Sequence, residues 1–185
     1  MQEMNKRLTQ QELHSLFLHD VDGYAEDIVD TGHKPLELRI SYPINQNVKV
    51  YLYNCTSPPG GRSIDEYKVQ LILDGQKRGQ RGQFDDSNGI TNLIVGYACP
   101  FLDIHSGIWV LFELDKHREF AYSANIQIYL RQILKALENE VYTYQKHNKE
   151  TVVLCKRQHL MDALKKRFDI DLQIMIGKQN EIEGL

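Results

Sequence analysis

Leu36-Glu37-Leu38-Arg39-Ile40-Ser41-Tyr42 alternates apolar and polar residues without a break. Successive side chains of a strand point to opposite faces, so this stretch reads as a strand with one buried face. Upstream, Thr9-Gln10-Gln11-Glu12 has the residues of a capping box, and Leu13, Leu16 and Phe17 follow at helical spacing. That pattern predicts a helix over about 9–19. An acidic stretch over 22–30 reads as a short helix or as irregular chain, and Pro35 ends it.

Downstream the period of two returns repeatedly. Val48, Val50, Leu52 and Tyr53 predict a second strand, and Pro58-Pro59-Gly60-Gly61 is a break. Tyr67, Val69, Leu71 and Leu73 alternate with Lys68, Gln70 and Ile72 to give a third. Gly75, Gly79, Gly82 and Gly89 then punctuate a long polar loop. Residues 93–97 and 108–114 predict two more strands, 125–128 a short one and 151–154 another. Helical spacing is found over 129–139 and 158–168, and 172–176 reads as a closing strand. Few of these helices keep a βαβ rhythm. The expectation is an α+β, mainly β protein, with an antiparallel, partly closed barrel and flanking helices.

A chain of 185 residues, with 42% hydrophobic and 25% charged residues, is one domain able to bury its own core. The expected organisation is a helical segment over 1–35, a barrel core over 36–155 and a C-terminal helix and strand over 156–185. No apolar run approaches the roughly 20 residues that span a bilayer. The opening MQEMNKRLTQQELHSLFL lacks the features of a signal peptide, so the expected compartment is the cytoplasm. Cys55, Cys99 and Cys155 are odd in number and far apart, as expected of reduced structural thiols.

The formal net charge of −3 does not mark a nucleic-acid binder, but its distribution is uneven. Asp20, Asp22, Glu26, Asp27, Asp30 and Glu37 face only Lys34 within 20–37, which leaves the remainder of the chain net positive. Three stretches concentrate donors. In the first, Arg62 and Ser63 follow two glycines, and Lys68 and Gln70 run up one face of a strand. Arginine forks onto guanine, glutamine onto adenine, and lysine and serine reach phosphates. The second, Lys77, Arg78, Gln80, Arg81 and Gln83 with two glycines and no acid, suits a phosphate backbone. The third holds Lys116, His117, Arg118, Tyr122, Ser123 and Asn125. Each is also what a solvated surface would carry.

A catalytic alternative uses the same residues. Glu66-Tyr67-Lys68 matches the second half of the PD-(D/E)xK nuclease signature, in which acids hold Mg²⁺ beside a lysine. The first half requires an aspartate at the start of a neighbouring strand, and the strands at 36–42 and 48–53 contain none. GxSxG, GxxxxGK[ST], GxGxxG after a strand and HExxH do not occur. A third possibility is an adaptor whose acidic stretch at 20–37 docks a basic partner.

Taken together, GRSIDEYKVQL (61–71), the Phe84-Asp85-Asp86 loop, NLIVGY (92–97) and GIWVLFELDKHREFAYSANIQI (107–128) resemble the DNA-recognition domains of bacterial restriction systems. The pattern over 36–155 is similar to the amino-terminal domain of the LlaJI-type McrB-like restriction subunit, which shares the plant B-three pseudobarrel. That resemblance implies an open seven-stranded antiparallel pseudobarrel gripping the major groove with two arms, one from 62–70 and one from 116–125. Lys77, Arg78 and Arg81 would lie on the backbone. It also implies sequence-specific double-stranded DNA binding without catalysis or cofactor. Any motor or nuclease would belong to other domains or subunits of a restriction complex. The helices at 9–19 and 158–168 exceed a minimal pseudobarrel.

Arg62, at the mouth of a strand, suits a single guanine. Arg62→Ala is expected to lose about 1–3 kcal/mol on the cognate duplex while sparing non-specific binding. Lys77→Ala or Arg81→Ala should weaken all duplexes alike and lower the salt slope by about one unit each. Anisotropy titrations at several salt concentrations distinguish the two patterns.

Overall fold

The structure, a computed structural model, describes residues 7–57, 63–101 and 103–184. Thr9 caps helix α1 (Gln10–Asp20) as expected. Its hydroxyl accepts from Glu12 N at 3.2 Å, and the Glu12 carboxylate accepts from Thr9 N at 2.6 Å. Then come β1 (Ala25–Val29), β2 (Leu36–Ile40), β3 (Gln46–Cys55), β4 (Glu66–Leu71), β5 (Gly82–Gln83), β6 (Thr91–Ala98) and β7 (Ile108–Phe112). The remainder is β8 (Glu119–Phe120), β9 (Ala124–Tyr129), α2 (Leu130–Glu138), β10 (Val141–Gln145), β11 (Thr151–Lys156) and α3 (Leu160–Glu183). The protein is α+β and mainly sheet.

Seven strands form one open sheet in the order β1-β2-β3-β6-β7-β11-β10. The number of strands agrees with the expectation, but an all-antiparallel sheet does not. β3 runs parallel to β6 over eight residue pairs, Val48↔Thr91 through Cys55↔Ala98. A parallel pair requires a long crossover, and here residues 56–90 provide it, carrying β4 and β5. A second excursion, residues 113–150, leaves the sheet after β7 and returns at β11. The two excursions meet off the sheet: β4 pairs with β9 and β5 with β8, both antiparallel.

Two further expectations are corrected. The acidic stretch over 22–30 contains strand β1, antiparallel to β2 and nearly all exposed. Ala25-Glu26-Asp27-Ile28-Val29 does not alternate, and an exposed edge strand with one pairing partner imposes no apolar period by which a strand is read. Residues 172–176 are helical, because α3 runs on without a break to Glu183. Leu172, Met175 and Ile176 are exposed there, so their spacing answers to no sheet.

The sheet is buried on both faces, which is why β7 and β11 read as continuous apolar runs. On one face, Leu13 and Phe17 of α1 and Leu160, Ala163 and Leu164 of α3 pack on Val50, Leu52, Val95, Trp109, Leu111 and Val153. On the other, Tyr67, Val69 and Leu71 of β4, Ile126 and Ile128 of β9, and Ile133 and Ala136 of α2 cover Tyr51, Ile94, Val110, Phe112 and Leu154. Cys55 and Cys155 are unpaired within these two cores, and burial pushes both thiols up.

A charged clasp ties the first layer down. Asp20, at the end of α1, accepts from Trp109 Nε1 at 2.8 Å and from Arg157 Nε and Nη2 at 2.8 and 2.6 Å. On the second face the critical point is Gly96 of β6. A Cβ there would lie 2.9 Å from Val69 Cγ2 and 3.4 Å from both Cys55 and Phe112. The missing side chain is what lets β4 settle on the sheet.

Gly96→Ala is therefore expected to destabilise the fold by about 1–3 kcal/mol through overpacking. Val69→Ala in the same chain should recover part of that loss. Urea unfolding of the four proteins of the cycle measures the coupling, and simple additivity would contradict the contact.

Candidate nucleic-acid interface

The β4–β9 ribbon has an inner face that is core and an outer face that is not. Tyr67, Val69, Leu71, Ile126 and Ile128 point into the molecule, so Glu66, Lys68 and Gln70 on one strand and Asn125, Gln127 and Tyr129 on the other point out. The register sets them opposite one another as Glu66↔Tyr129, Lys68↔Gln127 and Gln70↔Asn125. Gln127 donates to the Glu66 carboxylate at 2.9 Å, and Gln70 donates to the Ser123 hydroxyl. The outcome is a two-stranded platform of amides around one lysine.

At one end of the ribbon, Arg78, Gln80 and Arg81 from the first excursion meet Tyr122 and Ser123 from the second around a concavity of about 680 Å³. The loop is closed by its own glutamines. Gln76 accepts from Leu73 N and donates to Gln80 O, and the Gln80 side chain accepts from Lys77 N, each at 3.0 Å. Gly75 and Gly79 take left-handed φ values of 80° and 86°, which the tight turns require. Gln80 therefore shapes the loop through its amide oxygen, and Lys77 and Arg78 project from it.

Of the residues singled out in the sequence, Lys68, Gln70, Arg78, Gln80, Arg81, Tyr122, Ser123 and Asn125 come together on the ribbon and its end. Gln83 lies close by on β5, with an exposed side chain. Ser63 bonds to Asp65. Arg62 lies outside the described residues. The third stretch divides. Lys116 faces a different hollow beside Lys166 and Lys178. Arg118 is engaged by Asp86 and, at 3.3 Å, by Asp115. Lys68, Lys77 and Arg78 have no ion-pair partner among the described residues, whereas Arg81 has only the exposed Glu119 at 3.9 Å. Gln127, which closes the third stretch, and Tyr129 and Arg131, whose guanidinium lies 4.4 Å above the Tyr129 ring, are not among the site residues expected from the sequence. The alternation Asn125-Ile126-Gln127-Ile128 carried the signal for Gln127.

His117 serves the scaffold. Its Nε2 is 2.8 Å from Oε1 of buried Glu150, whose Oε2 is 2.8 Å from Lys146 Nζ, off the hydrogen-bonding direction. Burial would raise the Glu150 carboxyl, but the His117 hydrogen bond and the Lys146 charge outweigh it and hold the group below the ordinary glutamate range. Among the described residues, no three His, Cys, Asp or Glu side chains gather as a metal site. No described helix is long and apolar enough to cross a membrane. The acidic stretch at 20–37 is partly consumed internally: Asp20 by Arg157, Asp30 by buried His14 at 2.7 Å, and Glu26 by Arg39 at 3.8 Å.

A family model described as methylase-associated X1 matches residues 46–164, well over half of the chain. The chain belongs to the methylase-associated X1 family. No curated protein and no solved structure matches it. The methylase-associated X1 span runs from the start of β3 into the first turns of α3, so it contains both excursions and the whole ribbon. Helix α1, β1 and β2 lie outside that span.

A depressed carboxyl stabilises the fold above its unfolded pKa and loses that contribution as pH falls through the folded value. Glu150 should thus add stability at neutral pH that fades below about pH 4.3. Thermal melts of Glu150→Gln are expected to fall less steeply with acid than those of the parent; equal slopes would show that Glu150 is not held by this pair.

Proposed function

We propose that this methylase-associated X1 domain binds double-stranded DNA in a sequence-specific way, as the target-recognition element of a restriction–modification system. The observation that carries the reading is the outward register of the β4–β9 ribbon. A two-stranded ribbon fits the major groove, where glutamine and asparagine match adenine and lysine matches guanine. Gln70, Asn125, Gln127 and Lys68 supply that set on adjacent positions of one face. Lys77, Arg78 and Arg81 at the ribbon's end suit phosphates, which fix register without reading sequence.

The two excursions take the part of the two arms implied by the pseudobarrel resemblance, and the LlaJI-type McrB-like relationship belongs to the same reading. The domain recognises, and the bond-making or bond-breaking step falls to a methylase or nuclease partner. Glu66, hydrogen-bonded to Gln127, braces the ribbon.

Selection from a random duplex library, with and without cytosine methylation, tests this directly. The wild-type chain should enrich a defined site in EDTA as well as in Mg²⁺. Gln70→Ala and Asn125→Ala should each relax selection at one base pair and weaken the cognate complex by about 1–3 kcal/mol. Enrichment of no site, or duplex cleavage that disappears with Glu66→Gln, would replace this reading with another.

A further inference from the structure

On the β4 side of the ribbon lies a pocket of about 220 Å³, bordered by Lys68 and Gln70 of the reading face but otherwise built from residues the duplex reading does not use. Arg7, Lys34 and Lys68 line it, together with Thr56, Gln10 and Gln70. They come from three remote parts of the chain, and hydrogen bonds set the backbone beside Arg7 and at Lys68 and the side chain of Lys34. Leu8 is clasped to Asn54 by two hydrogen bonds, N to Oδ1 and Nδ2 to O, both 2.8 Å, which fixes neighbouring Arg7 against the end of β3. Lys68 is set by an isolated bridge to Thr56, with N···O distances of 3.0 and 2.9 Å. Lys34 donates to Gln10 at 3.3 Å and lies 5.1 Å from the centre of the Tyr53 ring.

The charges do not balance. Among the described residues Arg7 and Lys68 have no carboxylate partner, and Lys34 has only Asp74, at 3.5 Å, which also takes His33 at 3.1 Å. Like charges converging on one small hollow repel unless an anion joins them. The remaining walls are the Thr56 hydroxyl, the amides of Gln10, Asn54 and Gln70, and the side chains of Leu13, Leu52 and Tyr53, so the polar groups present can donate to an oxyanion as well as to water. We infer that this pocket binds a phosphate group. It sits beside Lys68 and Gln70 of the proposed reading face but does not depend on that reading. Arg7 and Lys34 also lie outside the methylase-associated X1 span, so the N-terminal segment completes the site. Two sources share the chemistry: a backbone phosphate of a nucleic acid, and the phosphate of a free nucleotide.

The test uses the whole chain with inorganic phosphate as probe. Phosphate should raise Tm with a saturating dependence that chloride at equal ionic strength lacks. Arg7→Gln, at an exposed position, and Lys68→Gln should each reduce that rise. If the occupant is a backbone phosphate, added duplex displaces the bound phosphate, and Arg7→Gln lowers the slope of log K against log salt for duplex binding by about one unit. If it is a nucleotide, a nucleoside 5′-monophosphate raises Tm further than phosphate, and the slope stays unchanged. Identical melts in phosphate and chloride, with an unchanged slope in Arg7→Gln, would overturn the inference even where duplex binding is strong. A phosphate response in a chain without duplex affinity would keep the pocket and remove the duplex reading.

Discussion

Strands that lie parallel and adjacent cannot be joined by a tight turn, and the β3–β6 pair imposes that constraint on this molecule. The chain must leave the sheet at Cys55 and return at Thr91, and it crosses the second face on the way. In most parallel pairs a helix fills such a crossover. Here a strand does, and a lone strand exposes backbone donors and acceptors that need a partner. The excursion after β7 provides it, although β7 and β11 are antiparallel neighbours that a turn could have joined. The ribbon is thus a consequence of topology, seated on the sheet where Gly96 leaves room for Val69.

Burial then divides the polar residues by role. Every second residue of the ribbon is spent on the core, and the alternate ones are necessarily presented to solvent. Elsewhere several charges are engaged within the fold. Asp20 holds α1 to Trp109 and Arg157, Glu150 holds His117 and Lys146, and buried Arg167 donates to Thr151 O and to Asp171. Breaking such pairs leaves a buried charge without compensation, which fixes their geometry. Among the described residues, Lys68, Lys77 and Arg78 on the ribbon and its end, and Arg7 on its flank, have no carboxylate partner, and Lys116 and Lys166 share that state at a separate hollow. A net negative chain can therefore carry a local basic face, since only its unneutralised charges act on a neighbour.

What the sequence revealed follows from the range of each interaction. The Thr9 capping box, the alternation of Leu36–Ile40 and the continuous run Ile108–Phe112 are local patterns, and each became the element expected. The parallel β3–β6 pairing was not legible, because period two gives a face and not a direction. β1 was not legible because Ala25-Glu26-Asp27-Ile28-Val29 does not alternate and buries no face at the sheet edge. The tail of α3 was misread because Leu172, Met175 and Ile176 lie beyond the core, where spacing reports no burial. In the site, Lys68, Gln70 and Asn125 could be proposed from composition, but their pairing across two strands is a tertiary fact. His117 and Arg118 looked like donors for a ligand until Glu150, Asp86 and Asp115 were found beside them. Arg7 and Lys34 sat in segments dominated by other signals.

The central claim is that one face of the molecule, the outer side of the β4–β9 ribbon with the loop at its end, receives the duplex. Hydrogen–deuterium exchange of the whole chain, with and without the duplex enriched by selection, examines that claim most directly. The account predicts added protection in Glu66–Leu71, Ala124–Tyr129 and residues 76–81, with β1 and the tail of α3 unchanged. Protection concentrated on β1 or the α3 tail, with the ribbon unaffected, would contradict it.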